Sequence, residues 1–239
     1  DTLGNVINAY LYNEQGKKIS EGIIDEQGRR VGEWKDFYET GELRAKGNYL
    51  DNQRSGLWIF YFRDGAVEQE GLFNRGRYEG KWIWYYPDGN TWREEEYFNG
   101  REDGMMVEYN VDGNILTKGE YMNGERNGEW VYSVGDHTEK GSYTIGLKEG
   151  VWNYFYNDGT LKHEGSYYQG NPDGRHKHYY PSGQLKEEQY YQMGLRERNW
   201  KKYDEEGNLM MTITYRHDQE LRINGIKVNL PESDIRLIR

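Results

Sequence analysis

His176 and His178 are the residues of this chain best suited, by type and spacing, to hold a metal ion. Two apart on a strand of period two, they point to one side, as a pair of imidazole ligands would. A zinc site needs three or four protein ligands, and no third one declares itself nearby, so the pair reads first as a repeat position that has changed residue type. No metal and no cofactor is expected. Glu94, Glu95 and Glu96 suggest paired carboxylates for acid–base work, but strand alternation sends Glu95 to the other face and charge runs are usually solvated. The segment Asn110 to Asn114 resembles a fragment of a calcium loop without its acidic spacing or terminal bidentate Glu, and hairpin chemistry explains it better. There is no cysteine, which excludes disulfides, thiolate zinc and a cysteine nucleophile. Nor is there a G-x-S-x-G elbow, a P-loop, a dinucleotide glycine motif or H-E-x-x-H. With no catalytic residue to name, the chain is expected not to be an enzyme.

What positions every residue is a period. Gly32, Gly56, Gly80, Gly104 and Gly128 stand 24 residues apart, Gly150 follows after 22, and Gly174 and Arg198 restore the interval of 24. Counted from these openings, position +2 is Trp34, Trp58, Trp82, Met106, Trp130, Trp152, His176 and Trp200. Position +5 is mostly Tyr or Phe, +9 is Gly except in the fifth unit, +15 is often Gly and +17 is an aromatic such as Tyr49, Phe73 or Tyr97. Two aromatic-rich runs joined by Asp64-Gly65, Asp88-Gly89, Asp112-Gly113 or Asp158-Gly159 read as a β-hairpin, since tight hairpin turns need positive φ. The glycines at 0 and +15 are expected to make room for the +2 indole and the +17 ring. Positions +2 and +5 have opposite parity, so they share a face only if a bulge or strong twist intervenes.

The pattern G-x-W-x-x-Y-x-x-x-G-x-L-x-x-x-G-x-Y-x-x-G resembles the bacterial variant of the MORN (membrane occupation and recognition nexus) repeat, of the YwqK type often labelled an antitoxin component, over roughly residues 7 to 216. The resemblance implies an all-β fold: an elongated single-layer antiparallel sheet of about eight tandem 24-residue hairpins. The array is expected over residues 1–216, with an atypical first unit at about 7–31 and a cap strand and tail at 217–239. Within the cap, Ile223 to Val228 reads as a last strand and Pro231 to Arg239 as a tail. Departures from the pattern are the short fifth unit, Met106 and His176 in the indole position, and Glu95 and Gln189 in place of +15 glycines.

A formal charge of −10 disfavours nucleic acid and direct binding to anionic membranes. No apolar run approaches the roughly 18 residues that span a bilayer. The first residue, Asp1, is read as slightly favouring an exported protein, periplasmic or associated with the outer membrane, over a cytoplasmic one. Position +4 varies between units (Asp36, Phe60, Trp84, Glu108, Tyr132, Tyr154, His178, Lys202), while +6 is mostly aromatic (Tyr38, Phe62, Tyr86, Tyr156, Tyr180). Variation within a constant frame is where repeat arrays specialise. Phe60, Trp84, Tyr132, Tyr154 and His178, with Tyr86, Tyr156 and Tyr180, are therefore the candidate partner-binding residues. The expected function is a scaffold for another protein, within a bacterial envelope or extracytoplasmic assembly. The alternatives are an antitoxin or immunity protein that covers a toxin, which the resemblance implies, and a glycan-binding module using exposed rings.

Overall fold

The computed structural model describes residues 6–228, and every regular element among them is a β-strand. The chain divides into two compact units, one ending at Glu125 and the other beginning at Arg126. The first unit holds β1 (Ile7–Tyr12), β2 (Lys18–Ile24), β3 (Arg30–Phe37), β4 (Leu43–Leu50), β5 (Gln53–Tyr61), β6 (Val67–Asn74), β7 (Arg77–Tyr85), β8 (Thr91–Phe98), β9 (Arg101–Tyr109) and β10 (Ile115–Met122). Each of these pairs antiparallel with the next. In the second unit come β11 (Glu125–Val134), β12 (His137–Thr144), β13 (Leu147–Tyr156), β14 (Leu161–Tyr168), β15 (Asn171–Tyr179), β16 (Leu185–Gln192), β17 (Leu195–Arg196), β18 (Arg198–Tyr203), β19 (Leu209–Arg216), β20 (Gln219–Ile223) and β21 (Ile226–Lys227). The pairing is again between neighbours, with β16 holding both β17 and β18.

Two turn chemistries alternate. Within a repeat, Gly65 alone has positive φ (89°) while its amide bonds Phe62 O and the Phe62 amide bonds Ala66 O, the pattern of a turn closed by a left-handed glycine. Between repeats, both central residues are left-handed, as at Asn99 (52°) and Gly100 (85°), which is the type I′ geometry whose twist matches the flanking strands. Ile145 holds such a position at φ 49°, a conformation unfavourable for a β-branched residue. Asn224-Gly225 makes another of these turns, so the segment read as one strand from Ile223 to Val228 is the end of β20, a turn and β21. The overlooked signal was the Asn-Gly pair itself. Pro231 to Arg239 lies outside the described residues.

The opening and +15 glycines serve different needs. At Gly47 a Cβ would collide with the Trp58 ring, and Gly22, Gly71 and Gly141 lie in the same way beneath Trp34, Trp82 and Trp152. Gly56, Gly80 and Gly150 instead have open space where a Cβ would stand, and φ of 68°, 62° and 69°. The expectation of a close ring at position 0 is therefore corrected: the glycine is there for its left-handed backbone. Around it Gly56 and Leu57 have no counterpart on β4, because Asn48 pairs Ser55 while Gly47 pairs Trp58. This two-residue bulge recurs at the openings of β7, β9, β13 and β15. Positions +2 and +5 nevertheless keep their opposite parity: Trp82 is fully buried on one face, while the Tyr85 hydroxyl bonds Glu70 on the other.

In the short fifth unit, Gly128 to Val134 pairs with Tyr143 to His137 without a register shift, around a two-residue turn at Gly135-Asp136. The other repeats carry a one-residue bulge there, as where Glu68 has no partner between Gln69 and Val67. Removing two residues has shortened the turn and eliminated the bulge, and has left the strand alternation intact.

Candidate protein-binding face

One face of each unit is built on the +2 row, and all eight +2 residues are buried, from Trp58 at 0% exposed to Trp200 at 9%. A single sheet can bury an indole this completely because each ring is enclosed from several directions. Beneath Trp58 is Gly47, its Nε1–H donates to Asn48 O at 2.9 Å, and the Tyr49 ring stands perpendicular to it with centres 5.2 Å apart. Above it the Arg54 guanidinium stands 4.4 Å from the ring centre. The same indole-to-carbonyl bond fixes Trp34, Trp82, Trp152 and Trp200 at 2.9–3.1 Å. These bonds satisfy the one polar atom of a buried indole.

The cover is a position the sequence reading did not single out. Two residues before six of the eight openings stand Arg30, Arg54, Tyr78, Arg126, Lys148 and Arg196, and each lies over the indole of its own repeat, while the repeats with Met106 and His176 carry Glu102 and Pro172 there. Tyr78 stacks on Trp82 at 3.9 Å. The signal was present as a cation-rich column at −2. Its meaning depends on the bulge, which brings the residue back over the ring.

Phe60, Trp84, Tyr132, Tyr154 and His178 all lie on this face, half-buried; Trp84 packs on Trp82 and Tyr97 of its own repeat, and the other four also reach rings of a neighbouring repeat. Phe60 touches Trp58 and Trp82, and Tyr132 stacks on Trp130 and Trp152. Burial and the bond to the Tyr143 hydroxyl hold the Tyr132 phenol well above its ordinary range. The +6 residues do something else. Tyr38, Tyr86, Tyr156 and Tyr180 donate their hydroxyls to the backbone carbonyls of Tyr61, Tyr109, Tyr179 and Tyr203, each 23 residues on, at 2.7–3.0 Å. They are struts between successive repeats, and this accounts for Tyr86, Tyr156 and Tyr180 without a partner protein.

The chemistry-bearing residues fall into the same frame. Glu95, expected to be solvated, is 1% exposed on the indole face, bonded to Arg93 Nη2 and the Tyr97 hydroxyl at 2.6 Å each. Its strand partner is Met106, slimmer than an indole, and the space so freed takes a carboxylate only because Arg93 supplies the opposite charge. His176 copies the indole it replaces: it lies over Gly165 and its Nε2 meets Ser166 O at 2.8 Å. A carbonyl only accepts, so that nitrogen carries the proton, and Nδ1 accepts from His163 Nε2 at 3.2 Å. His163 stacks parallel on His178 at 4.2 Å. His176 and His178 thus share a face as the spacing foretold, with His163 as third member, but stacked rings do not aim their lone pairs at one point. Among the described residues no three potential ligands converge. Burial, with His178 and His176 beside it, pushes the His163 pKa down to about 3; burial also lowers those of His176 and His178. The cluster is neutral at pH 7.

Comparison with known families returns the same frame. Five segments, 30–51, 78–99, 148–168, 172–193 and 199–217, match the MORN repeat variant. No curated protein matches the chain. Among solved structures, TcdB2-TccC3 is similar at 11% identity over 89% of this chain and 16% of that one, with a TM-score of 0.22. TcdB2-TccC3-Cdc42 is similar at 10% over 89% and 14%, with a TM-score of 0.19. The chain thus spans less than a fifth of those chains, and likeness at this level carries no functional argument. The five segments similar to the MORN repeat variant, set in tandem antiparallel hairpins, support a repeat-scaffold architecture.

Proposed function

We propose that this repeat scaffold, similar to the MORN variant, binds another protein through the indole faces of its units, without catalysis, and that the +4 side chains make the contact. The observation that carries this reading is the division of labour on that face: the buried +2 residues, with +15 beneath and half-buried −2 residues above most of them, build a recurring frame, and the +4 residue beside it changes from repeat to repeat, half-buried at Phe60, Trp84, Tyr132, Tyr154 and His178. An envelope setting and a toxin-neutralising role are narrower forms of the same reading, and the partner's identity separates them. A glycan platform requires an open ring face, whereas five of the eight +2 positions are indoles at most 1% exposed.

The test is affinity capture from native extract with folded variants. Trp84→Ser and Tyr154→Ser are expected to lose the partner retained by the parent chain, while the strut variants Tyr86→Phe and Tyr156→Phe keep it. Retention by both +4 variants would remove this face from the reading.

A further inference from the structure

Where +4 is a ring, the indole face is filled; where it is Asp36, the face opens. Ser20 and Ala45 flank Asp36 on the adjoining strands, and these small residues leave a groove of about 510 Å³. Four arginines line it: Arg30 and Arg54 half-buried on the floor, Arg44 and Arg63 exposed at the rim. Against them stand Asp36, 6% exposed, and Glu39 at the rim. Asp36 is already engaged, accepting from the Ser20 hydroxyl at 2.7 Å and lying 3.8 Å from Arg54. Arg30, Arg44 and Arg63 form no ion pair within 4.0 Å among the described residues. Aromatic rings back three of the four guanidiniums: Trp34 and Tyr49 lie behind Arg30, Trp58 behind Arg54 and Tyr38 behind Arg63. In a chain of net charge −10, this is a local concentration of positive charge, offset in part by Asp36 beside Arg54 and by Glu42 near Arg63, with three of its four guanidiniums held against rings.

We infer that this groove binds an acidic peptide segment of a partner protein, a deepening that rests on the protein-binding reading above. Guanidinium groups pair with carboxylate and phosphate alike, so the choice between them falls to the other features of the groove. Its volume exceeds that of a lone anion and suits a few residues of extended chain. The buried Asp36 carboxylate repels a phosphate, which brings no donor, but accepts a backbone N–H, which a peptide supplies beside its carboxylates. The negative charge of the rest of the chain turns away nucleic acid and anionic bilayers, whose charge extends far beyond the groove.

The experiment is fluorescence anisotropy with a labelled ten-residue peptide of alternating Glu and Ala, and a Gln and Ala counterpart as control. The Glu peptide is expected to bind and the Gln peptide not. Arg44→Glu combined with Arg63→Glu, both at exposed positions that leave the indole covers in place, should weaken binding about tenfold or more. Asp36→Asn should raise affinity for inorganic pyrophosphate relative to the parent. The inference is overturned if the Glu peptide fails to bind, if the rim variant binds it as the parent does, or if pyrophosphate, a single-stranded oligonucleotide or phosphatidylserine vesicles bind as well as the peptide. Partner capture that depends on Trp84 and Tyr154 but not on Arg44 and Arg63 would overturn this site and leave the protein-binding reading standing. Loss of capture dependence on every +4 position would end that reading while peptide binding to the groove could still be measured.

Discussion

Trp82 and His176 occupy the same place in the repeat and solve it with different rings. Each lies on a +15 glycine, Gly71 or Gly165, and each points an N–H at the next carbonyl, Leu72 O at 3.0 Å or Ser166 O at 2.8 Å. The repeat thus requires a flat ring with a donor at one point, and indole is only the larger way to meet it. The price of imidazole is a second nitrogen that must find a partner, and it is His163 that supplies one. Around Trp82 the neighbours are Phe73, Tyr78 and Trp84, a hydrophobic set indifferent to pH. Around His176 they include two further imidazoles, so that region is sensitive to protons.

The largest difference should appear on deletion. Trp82→Ala is expected to cost about 3–5 kcal/mol, the range for a buried aromatic. His176→Ala should cost less, about 1–3 kcal/mol, chiefly for the carbonyl left without its donor. Urea melts of the two variants measure both, and equal losses would break the comparison. The glycine floor ranks next: Gly71→Ala drives a Cβ into the Trp82 ring and should cost about 1–3 kcal/mol or more. Gly80→Ala meets no atom and pays only for its left-handed backbone, about 1–2 kcal/mol.

Acid should distinguish the two regions as well. The three histidines have folded pKa values below the unfolded value of about 6.5, so their contribution is fully present above that pH. It is lost as pH falls from about 6.5 toward about 3, because the unfolded chain takes up protons that the folded cluster refuses. His163→Gln should flatten that slope between pH 6.5 and 5 in thermal melts; an unchanged slope would assign the acid sensitivity to carboxylates elsewhere. Smaller effects belong to the frame shared by both regions. Tyr86→Phe removes one strut and should cost about 0.5–1.5 kcal/mol. Ile145→Asn, relieving a β-branched residue at φ 49°, should stabilise by about 0.5–1 kcal/mol in the same melts.

Much of this was legible in the residue order. The 24-residue interval, the Asp-Gly and Asn-Gly turns, the burial of the +2 rings and the continuation of strand alternation through the fifth unit all follow from local chemistry with a short range. Parity set +2 and +5 on opposite faces only on condition that no bulge or strong twist came between them, and the structure decided that condition, with Trp82 on one face and Tyr85 on the other. The role of the opening glycine was misread because a glycine in a strand has two uses, close approach and positive φ, and only the backbone angle tells them apart. Glu95 was misread because its burial depends on Met106, eleven residues later in the chain and directly across the ladder.

The sequence by itself therefore determined the unit, its turns and the ring at its centre, since these depend on φ preferences and on a period of two. Tertiary structure decided what surrounds the ring. A two-residue bulge shifts the register between repeats and brings Arg54 over Trp58, and the same fold sets His163 beside His176 and gathers four arginines around Asp36. These neighbours sit on different strands, and their meeting depends on register and curvature, which no local alternation carries.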